Sequence, residues 1–213
     1  MKTDELVAML ANGSVAVAPR AVERRFVIGV GMGTLASVLL MVATLGVRAD
    51  LVDAVRMPML WVKLGFAASL TLAGLLTAAR LSRPGVALGR APAALLSPVL
   101  AVWLVGLVSL LVAVPAQRTA LLLGETWTLC PLLIATLAIP VFIGTLWSVA
   151  GLAPTRLGWA GAASGLLSGA IATLVYSLHC PEMTAPFVAL WYVLGISLPT
   201  VLGALLGPHV LRW

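Results

Sequence analysis

Two cysteines, each followed directly by a proline, are the most reactive side chains in the sequence. Cys130 lies in the run Thr-Leu-Cys-Pro, and Cys180 lies in the run His-Cys-Pro-Glu-Met at positions 179–183. The second run places an imidazole, a thiol, a carboxylate and a thioether within five residues. Soft sulfur ligands favour copper(I), and thiolates with imidazole favour zinc and other thiophilic ions. This chemistry predicts a site for thiol sensing, disulfide formation or metal binding.

The residues predicted for this site are Cys130, Cys180, His179, Glu182 and Met183, of which Cys130, Cys180, His179 and Met183 are the expected metal ligands. No obligatory cofactor is expected, and a thiophilic ion of the copper, zinc or cadmium type would act as a signal. The spacing alone is weak evidence, because the sequence has no CxxC pair and no HxxxH motif. A plain structural disulfide and a pair of inert thiols therefore stay open as alternatives.

The usual arrangements of catalytic residues are missing from the sequence. It contains no serine–histidine–acid arrangement, no phosphate-binding loop and no pair of carboxylates within an apolar run. We therefore expect no catalytic residues and a protein that is not an enzyme.

The elements that hold the cysteines follow from the composition of the chain. Of its 213 residues, 62% are hydrophobic and 9% are charged, whereas soluble domains have about 45–50% and about 25%. A membrane-spanning helix needs about 20 apolar residues, and the apolar runs lack the alternation typical of a membrane barrel. The predicted fold class is all-α, a polytopic bundle of six transmembrane helices. The spans fall at about 26–46, 58–79, 94–114, 128–149, 160–179 and 186–206, within a membrane domain at 26–213 that follows an N-terminal segment at 1–25.

The charges between the spans predict the orientation of the chain. Nine of the 13 Lys and Arg residues fall on the side of both termini and three on the other side, with Lys63 inside a span. Because basic residues concentrate on the cytoplasmic side, we expect a multi-pass protein of the bacterial inner membrane with both termini in the cytoplasm. Both Cys-Pro sites then lie at the outer face, where disulfides can persist.

Two features within the spans suggest packing or function. Gly161, Gly165 and Gly169 form a stripe of small residues that lets helices approach closely, either within the bundle or in a homodimer. Lys63 lies five residues after Pro58. We expect its side chain to reach outward to the interface and to pair with Asp50 or Asp53, and an ion pathway is the alternative.

The first residues of the chain can form a short amphipathic helix. Leu6, Met9 and Leu10 fall on one face, and Asp4 and Glu5 lie in its first turn. A helix this short is marginal in water. It is expected to fold on a partner through these five residues, or else to remain a frayed tail that only sets the topology.

A series of short motifs extends the cysteine pattern to the whole chain. The motifs are MKTDEL at the start, APR at 18–20, WVK at 61–63, GETW at 124–127 before Cys130-Pro131, LAPTR at 152–156, HCPEM at 179–183 and WYVLG at 191–195. In this order they resemble the negative regulator of sigma F family, the six-span anti-sigma factors of proteobacteria.

This resemblance implies a function that the composition does not show. Such proteins hold an extracytoplasmic-function sigma factor at the inner membrane and release it under heavy-metal or oxidative stress. Two outward-facing cysteines are needed for this response, and Cys130 and Cys180 match them. The implied partners are the sigma factor and the lipid bilayer, with no direct contact to nucleic acid.

Three other functions stay open at this point. A small-solute or metal transporter would explain Lys63, Glu125 and Glu182, although the sequence shows no clear inverted repeat. A membrane thiol oxidoreductase usually needs a CxxC motif and a second cysteine pair. A structural subunit of a larger complex is the third.

Overall fold

The computed structural model describes Thr3, Glu5, Val7 and residues 20–212. Within this part of the chain the regular structure is helical, without strands. The helices are α1 (Ala21–Thr44), α2 (Leu51–Ala54), α3 (Pro58–Leu81), α4 (Ala91–Val112), α5 (Pro115–Leu123), α6 (Cys130–Ala150), α7 (Leu157–Tyr176) and α8 (Ala185–Val210). Six helices of the described chain, α1, α3, α4, α6, α7 and α8, are long and apolar enough to cross a membrane. The predicted all-helical fold with six spans is confirmed.

The structure also contains helical features that the apolar runs do not indicate. α1 begins at Ala21, so that Arg24 and Arg25 belong to its first turns and not to the preceding segment. α2 and α5 are short helices in predicted loops. Within α8 the residues Val188–Tyr192 form a π-helical turn. Prolines occupy the first or second position of α3, α4, α5, α6 and α8, where the missing N–H group costs no hydrogen bond.

Contacts between distant residues sort the helix ends into two groups. At one end, Arg25 of α1 donates to the carbonyl oxygen of Trp147 near the end of α6, at 2.9 and 3.2 Å. At the other end, the backbone N–H of Arg48 donates to the carbonyl oxygen of Leu178 at 3.1 Å. We call the first group the basic end, because it carries Arg24, Arg25, Arg80, Arg83, Arg90, Arg156 and Arg212. We call the second the cysteine end, comprising residues 45–57, 113–130 and 177–184.

α7 is the central helix of the bundle and packs against α3, α6 and α8. In its most apolar stretch 72% of the residues are buried, against 11% in α4 at the periphery. The glycine stripe explains how α8 comes so close. A Cβ atom at Gly161 would overlap the carbonyl oxygen of Gly203, and one at Gly165 would overlap that of Pro199.

The same contacts decide between the two roles predicted for the stripe. Gly161, Gly165 and Gly169 are all buried, and a Cβ atom at Gly169 would lie 3.0 Å from the Cα atom of Ile196 in α8. The stripe therefore packs within the chain. Of the two alternatives, packing within the bundle is the one the structure shows, because α8 covers these glycines.

The predicted partner-binding tail lies largely outside the described residues. Thr3, Glu5 and Val7 are helical and exposed. Asp4, Leu6, Met9 and Leu10 are not among the described residues, so their role as partner anchors stays a prediction.

We expect Gly165→Ala to lower the thermal stability of the protein. The added methyl group must separate α7 from α8, and overpacking of this kind typically costs about 1–3 kcal/mol. The measurement is the apparent unfolding midpoint of the purified protein in detergent. Gly31→Ala in α1 is the matched control, because no atom lies within 4 Å of a Cβ atom there. Equal midpoints for the two variants would contradict the close packing of α7 and α8.

Candidate sensing site

The two cysteines meet in one buried cluster at the cysteine end. Cys130 is the first residue of α6, and Cys180 lies in the non-helical connection between α7 and α8. We call residues 177–184 the Cys180 segment. Both thiols are free and fully buried. The structure thus brings together the two residues on which the sequence prediction depends, from different spans.

Two tyrosines surround the thiols. Tyr176 and Tyr192 are buried in the same cluster as Cys130 and Cys180, and their ring centroids lie 6.1 Å apart. The Tyr192 hydroxyl is buried and has no hydrogen-bond partner among the described residues. The sequence analysis did not identify these residues. The available signal was that the chain has just two tyrosines and that Tyr176 lies one helical turn before Cys180.

Lys63 lies against the Cys180 segment and does not reach outward. Its side chain is fully buried, and its ammonium donates to the carbonyl oxygens of Cys180 at 3.2 Å and Glu182 at 2.8 Å. The ammonium also lies 5.2 Å from the ring centroid of Tyr192. The predicted outward reach of Lys63 is therefore wrong, because main-chain acceptors are available inside the bundle.

The predicted pairing of Lys63 with Asp50 is wrong for a related reason, since Asp50 pairs with Arg48. The two side chains form a bidentate ion pair at 2.6 and 2.7 Å. This hydrogen bonding holds the pKa of the Arg48 guanidinium above its ordinary value and the pKa of the Asp50 carboxyl below its own. Arg48 uses a third nitrogen, Nη1, to donate to the carbonyl oxygen of Cys180 at 3.2 Å. Two cations thus converge on one carbonyl oxygen of the Cys180 segment.

Glu182 joins the two cysteine regions through the backbone. Its carboxylate accepts hydrogen bonds from the N–H groups of Glu125 at 2.7 Å and Thr126 at 3.3 Å. The carbonyl oxygen of Thr126 in turn accepts from the N–H of Cys130 at 2.9 Å. Gly124 makes this possible, because its φ of +54° suits glycine and a Cβ atom there would lie 2.6 Å from the Glu182 carboxylate. Glu182 therefore holds the turn before α6 and is not directed at the thiols.

The remaining predicted ligands have other surroundings. The Nδ1 atom of His179 lies 2.9 Å from the carbonyl oxygen of Gly46, and its ring packs 5.9 Å from that of Tyr176. Met183 is half-buried. No group of three His, Cys, Asp or Glu side chains in the described chain is arranged to hold a metal ion. What the structure brings together is a pair of free thiols in one cluster of buried residues.

Comparison with known proteins places this site in a regulatory family. Residues 10–213 match the family described as negative regulator of sigma F. The chain belongs to the negative regulator of sigma F family. It is 48% identical to the "Probable anti-sigma-F factor NrsF" of Azospira oryzae and 39% identical to the "Anti-sigma-F factor NrsF" of Caulobacter vibrioides. Each alignment covers 100% of both chains. No solved structure matches the chain.

The description of the negative regulator of sigma F family is regulatory and names no reaction.

We expect Glu182→Ala to destabilise the cysteine end, because the N–H groups of Glu125 and Thr126 lose a charged acceptor. Hydrogen bonds to charged groups contribute about 1.5–3 kcal/mol, and less where water reaches them. The free energy of unfolding, measured by titration with a denaturing detergent, should fall. Glu182→Gln should lower this free energy of unfolding by less, because its amide oxygen still accepts hydrogen bonds. Glu125→Ala is the control, since it removes a neighbouring carboxylate but keeps the N–H donor, and an equal loss there would contradict this role for Glu182.

Proposed function

We propose that this protein is an inner-membrane anti-sigma factor that sequesters an extracytoplasmic-function sigma factor and releases it when Cys130 and Cys180 react. One observation carries the sensing part of the proposal. Two thiols, one at the start of α6 and one in the Cys180 segment, lie in a single buried cluster that also contains both tyrosines, and a buried ammonium donates to the carbonyl oxygen of Cys180. Family membership and the names of the two relatives support the sigma factor as the partner.

The orientation follows from the distribution of charge. The basic end carries most of the arginines and is assigned to the cytoplasm, where it meets the sigma factor together with residues 1–25. Leu6, Met9 and Leu10 provide the apolar contacts, and Asp4 and Glu5 provide charged ones. The cysteine end then faces the periplasm, where oxidants and metal ions arrive from outside.

Two chemical events can change the cysteine end. Hydrogen peroxide can oxidise the two thiols to a disulfide, in which case two protons and two electrons pass to the peroxide and two water molecules form. A thiophilic ion can instead bind both sulfur atoms as their protons leave. Both events bring the sulfur atoms into a fixed geometry. Either one must supply about 5.5 kcal/mol to change the ratio of holding to releasing conformations from 99:1 to 1:99.

Transport of a small solute or metal is less well supported by the site. Lys63 was the main argument for a pathway, and it is bonded to main-chain carbonyl oxygens deep in the bundle. The regulatory description of the family also favours release of a partner over transport.

The direct test is co-purification of the full-length protein with its sigma factor. The complex is prepared in reduced form, after hydrogen peroxide, and after loading with zinc, cadmium or copper(I). The proposal expects the sigma factor to be retained in the reduced sample and lost in at least one of the others. Retention in all of these samples would contradict the sensing mechanism.

We expect Cys130→Ser and Cys180→Ser each to abolish inducible release, because a single thiol can form no intramolecular disulfide and binds a soft ion with half the ligands. Membrane insertion and sigma factor binding should stay at the wild-type level. The measurement is the amount of sigma factor retained by the membrane fraction before and after treatment. Met183→Leu is the matched control: it should leave the response to peroxide intact, and a loss of the metal response alone would identify the thioether as a ligand. A double serine variant that still responds to all of these treatments would overturn the proposal.

A further inference from the structure

Lys63 is a charged side chain in an unusual position for a membrane helix. It lies in the second turn of α3, is fully buried and has no carboxylate within ion-pair distance among the described residues. An ionisable group at membrane depth is rare unless it has a function. Neither the family description nor the names of the relatives assign a role to this residue.

Both acceptors of the Lys63 ammonium belong to the Cys180 segment. The carbonyl oxygens of Cys180 and Glu182 lie on either side of Pro181, so that one ammonium fixes the backbone on both sides of the proline. Arg48 donates to the same oxygen of Cys180. Buried carbonyl oxygens outside a helix need hydrogen-bond donors from the protein, and these two cations supply them.

We infer that Lys63 is a positioning residue of the sensing site, which clamps the Cys180 segment over the two thiols and limits their access to reagents. Cys180 carries both the buried thiol and a clamped carbonyl oxygen, so its sulfur cannot move far without straining the hydrogen bond to Lys63. The clamp ties α3 to the segment between α7 and α8, and the Glu182 carboxylate ties that segment to the turn before α6. The consequence for sigma factor release rests on the proposed function, whereas the protection of the thiols does not.

The clamp makes opening of the Cys180 segment unfavourable. If the segment lifts away, a buried ammonium loses two acceptors at once, and unpaired buried charge is strongly disfavoured. The thiols therefore react only from a minor open state. Removing the ammonium should raise the population of that state, as in other local unfolding equilibria.

The experiment measures the alkylation of each cysteine in the full-length protein. Wild type, Lys63→Met, Lys63→Arg and Trp61→Phe are reconstituted in lipid nanodiscs, reduced and treated with N-ethylmaleimide at one pH. Peptide mass spectrometry then gives a rate for Cys130 and for Cys180. Lys63→Met keeps the shape of the side chain without its charge. Trp61→Phe is the matched control, because it removes a hydrogen bond from the same helix to the carbonyl oxygen of Val55, outside the Cys180 segment.

Lys63→Met should be alkylated about 10-fold faster than wild type at Cys180, as expected when roughly one charged hydrogen bond is removed from the closed state. Lys63→Arg should return the rate to within about 3-fold of wild type, because a guanidinium can donate to both carbonyl oxygens. Trp61→Phe should match wild type. Unchanged rates in Lys63→Met, or equal rates in the Met and Arg variants, would overturn the clamp.

A replacement variant and a release measurement complete the test of the clamp. If Lys63→Met does not accumulate in the membrane, Lys63→Gln replaces it, because Gln keeps an N–H donor without the charge. Its rate should then lie above that of Lys63→Arg, and a rate equal to wild type would overturn the clamp. In the presence of the sigma factor, Lys63→Met should release it at a lower concentration of hydrogen peroxide than wild type needs, because its thiols are reached more often. If no variant, including wild type, binds the sigma factor, the proposed function fails while the alkylation result still decides the clamp.

Discussion

The buried polar groups of non-helical backbone need hydrogen-bond partners, and this need controls the structure of the cysteine end. The Cys180 segment leaves the helical hydrogen-bonding pattern beside the buried thiols, so its buried carbonyl oxygens need donors from the protein. Lys63 and Arg48 supply them. In return, the acceptors allow the Lys63 ammonium to lie buried among apolar helices. The position of the Cys180 thiol follows from this exchange, because the residue that bears it is fixed through its own carbonyl oxygen.

The close approach of α7 and α8 provides the rigid frame for that arrangement. Gly161 and Gly165 bring the two backbones into contact along their length, and Tyr176 and Tyr192 then meet at the end of the same pair of helices. A change at the thiols cannot be absorbed by loosening this packing, because the glycines leave no flexible side chains between the helices. It must instead move the segment between α7 and α8 or tilt the pair as a unit. In the proposed function, this frame carries a change at the thiols to the opposite end of the bundle.

The sequence was sufficient for the spans and for the convergence of the cysteines, but not for the residues that hold them. Apolar runs indicate helices directly. The chain crosses the bundle twice between Cys130 and Cys180, through α6 and α7, and an even number of crossings puts both cysteines at one end. The direction of the Lys63 side chain was predicted wrongly because a lysine near a helix end can reach either the membrane interface or acceptors inside the bundle. Only the tertiary structure shows that main-chain acceptors lie inside. Glu182 was assigned to the sensing site because its neighbours in sequence are sulfur and imidazole. Its carboxylate instead binds the backbone 56 and 57 residues away, which no local motif encodes.

Burial of both thiols also constrains how the proposed sensor distinguishes a signal from background chemistry. A thiol on the surface reacts with any oxidant at a rate set by its own ionisation. At this site the reagent must also wait for the Cys180 segment to open, so the hydrogen bonds from Lys63 and Arg48 enter the rate together with the chemistry. Selectivity then belongs to the fold as well as to the sulfur atoms. The proposed sensor can in this way set its own threshold, by adjusting how firmly a few main-chain carbonyl oxygens are held.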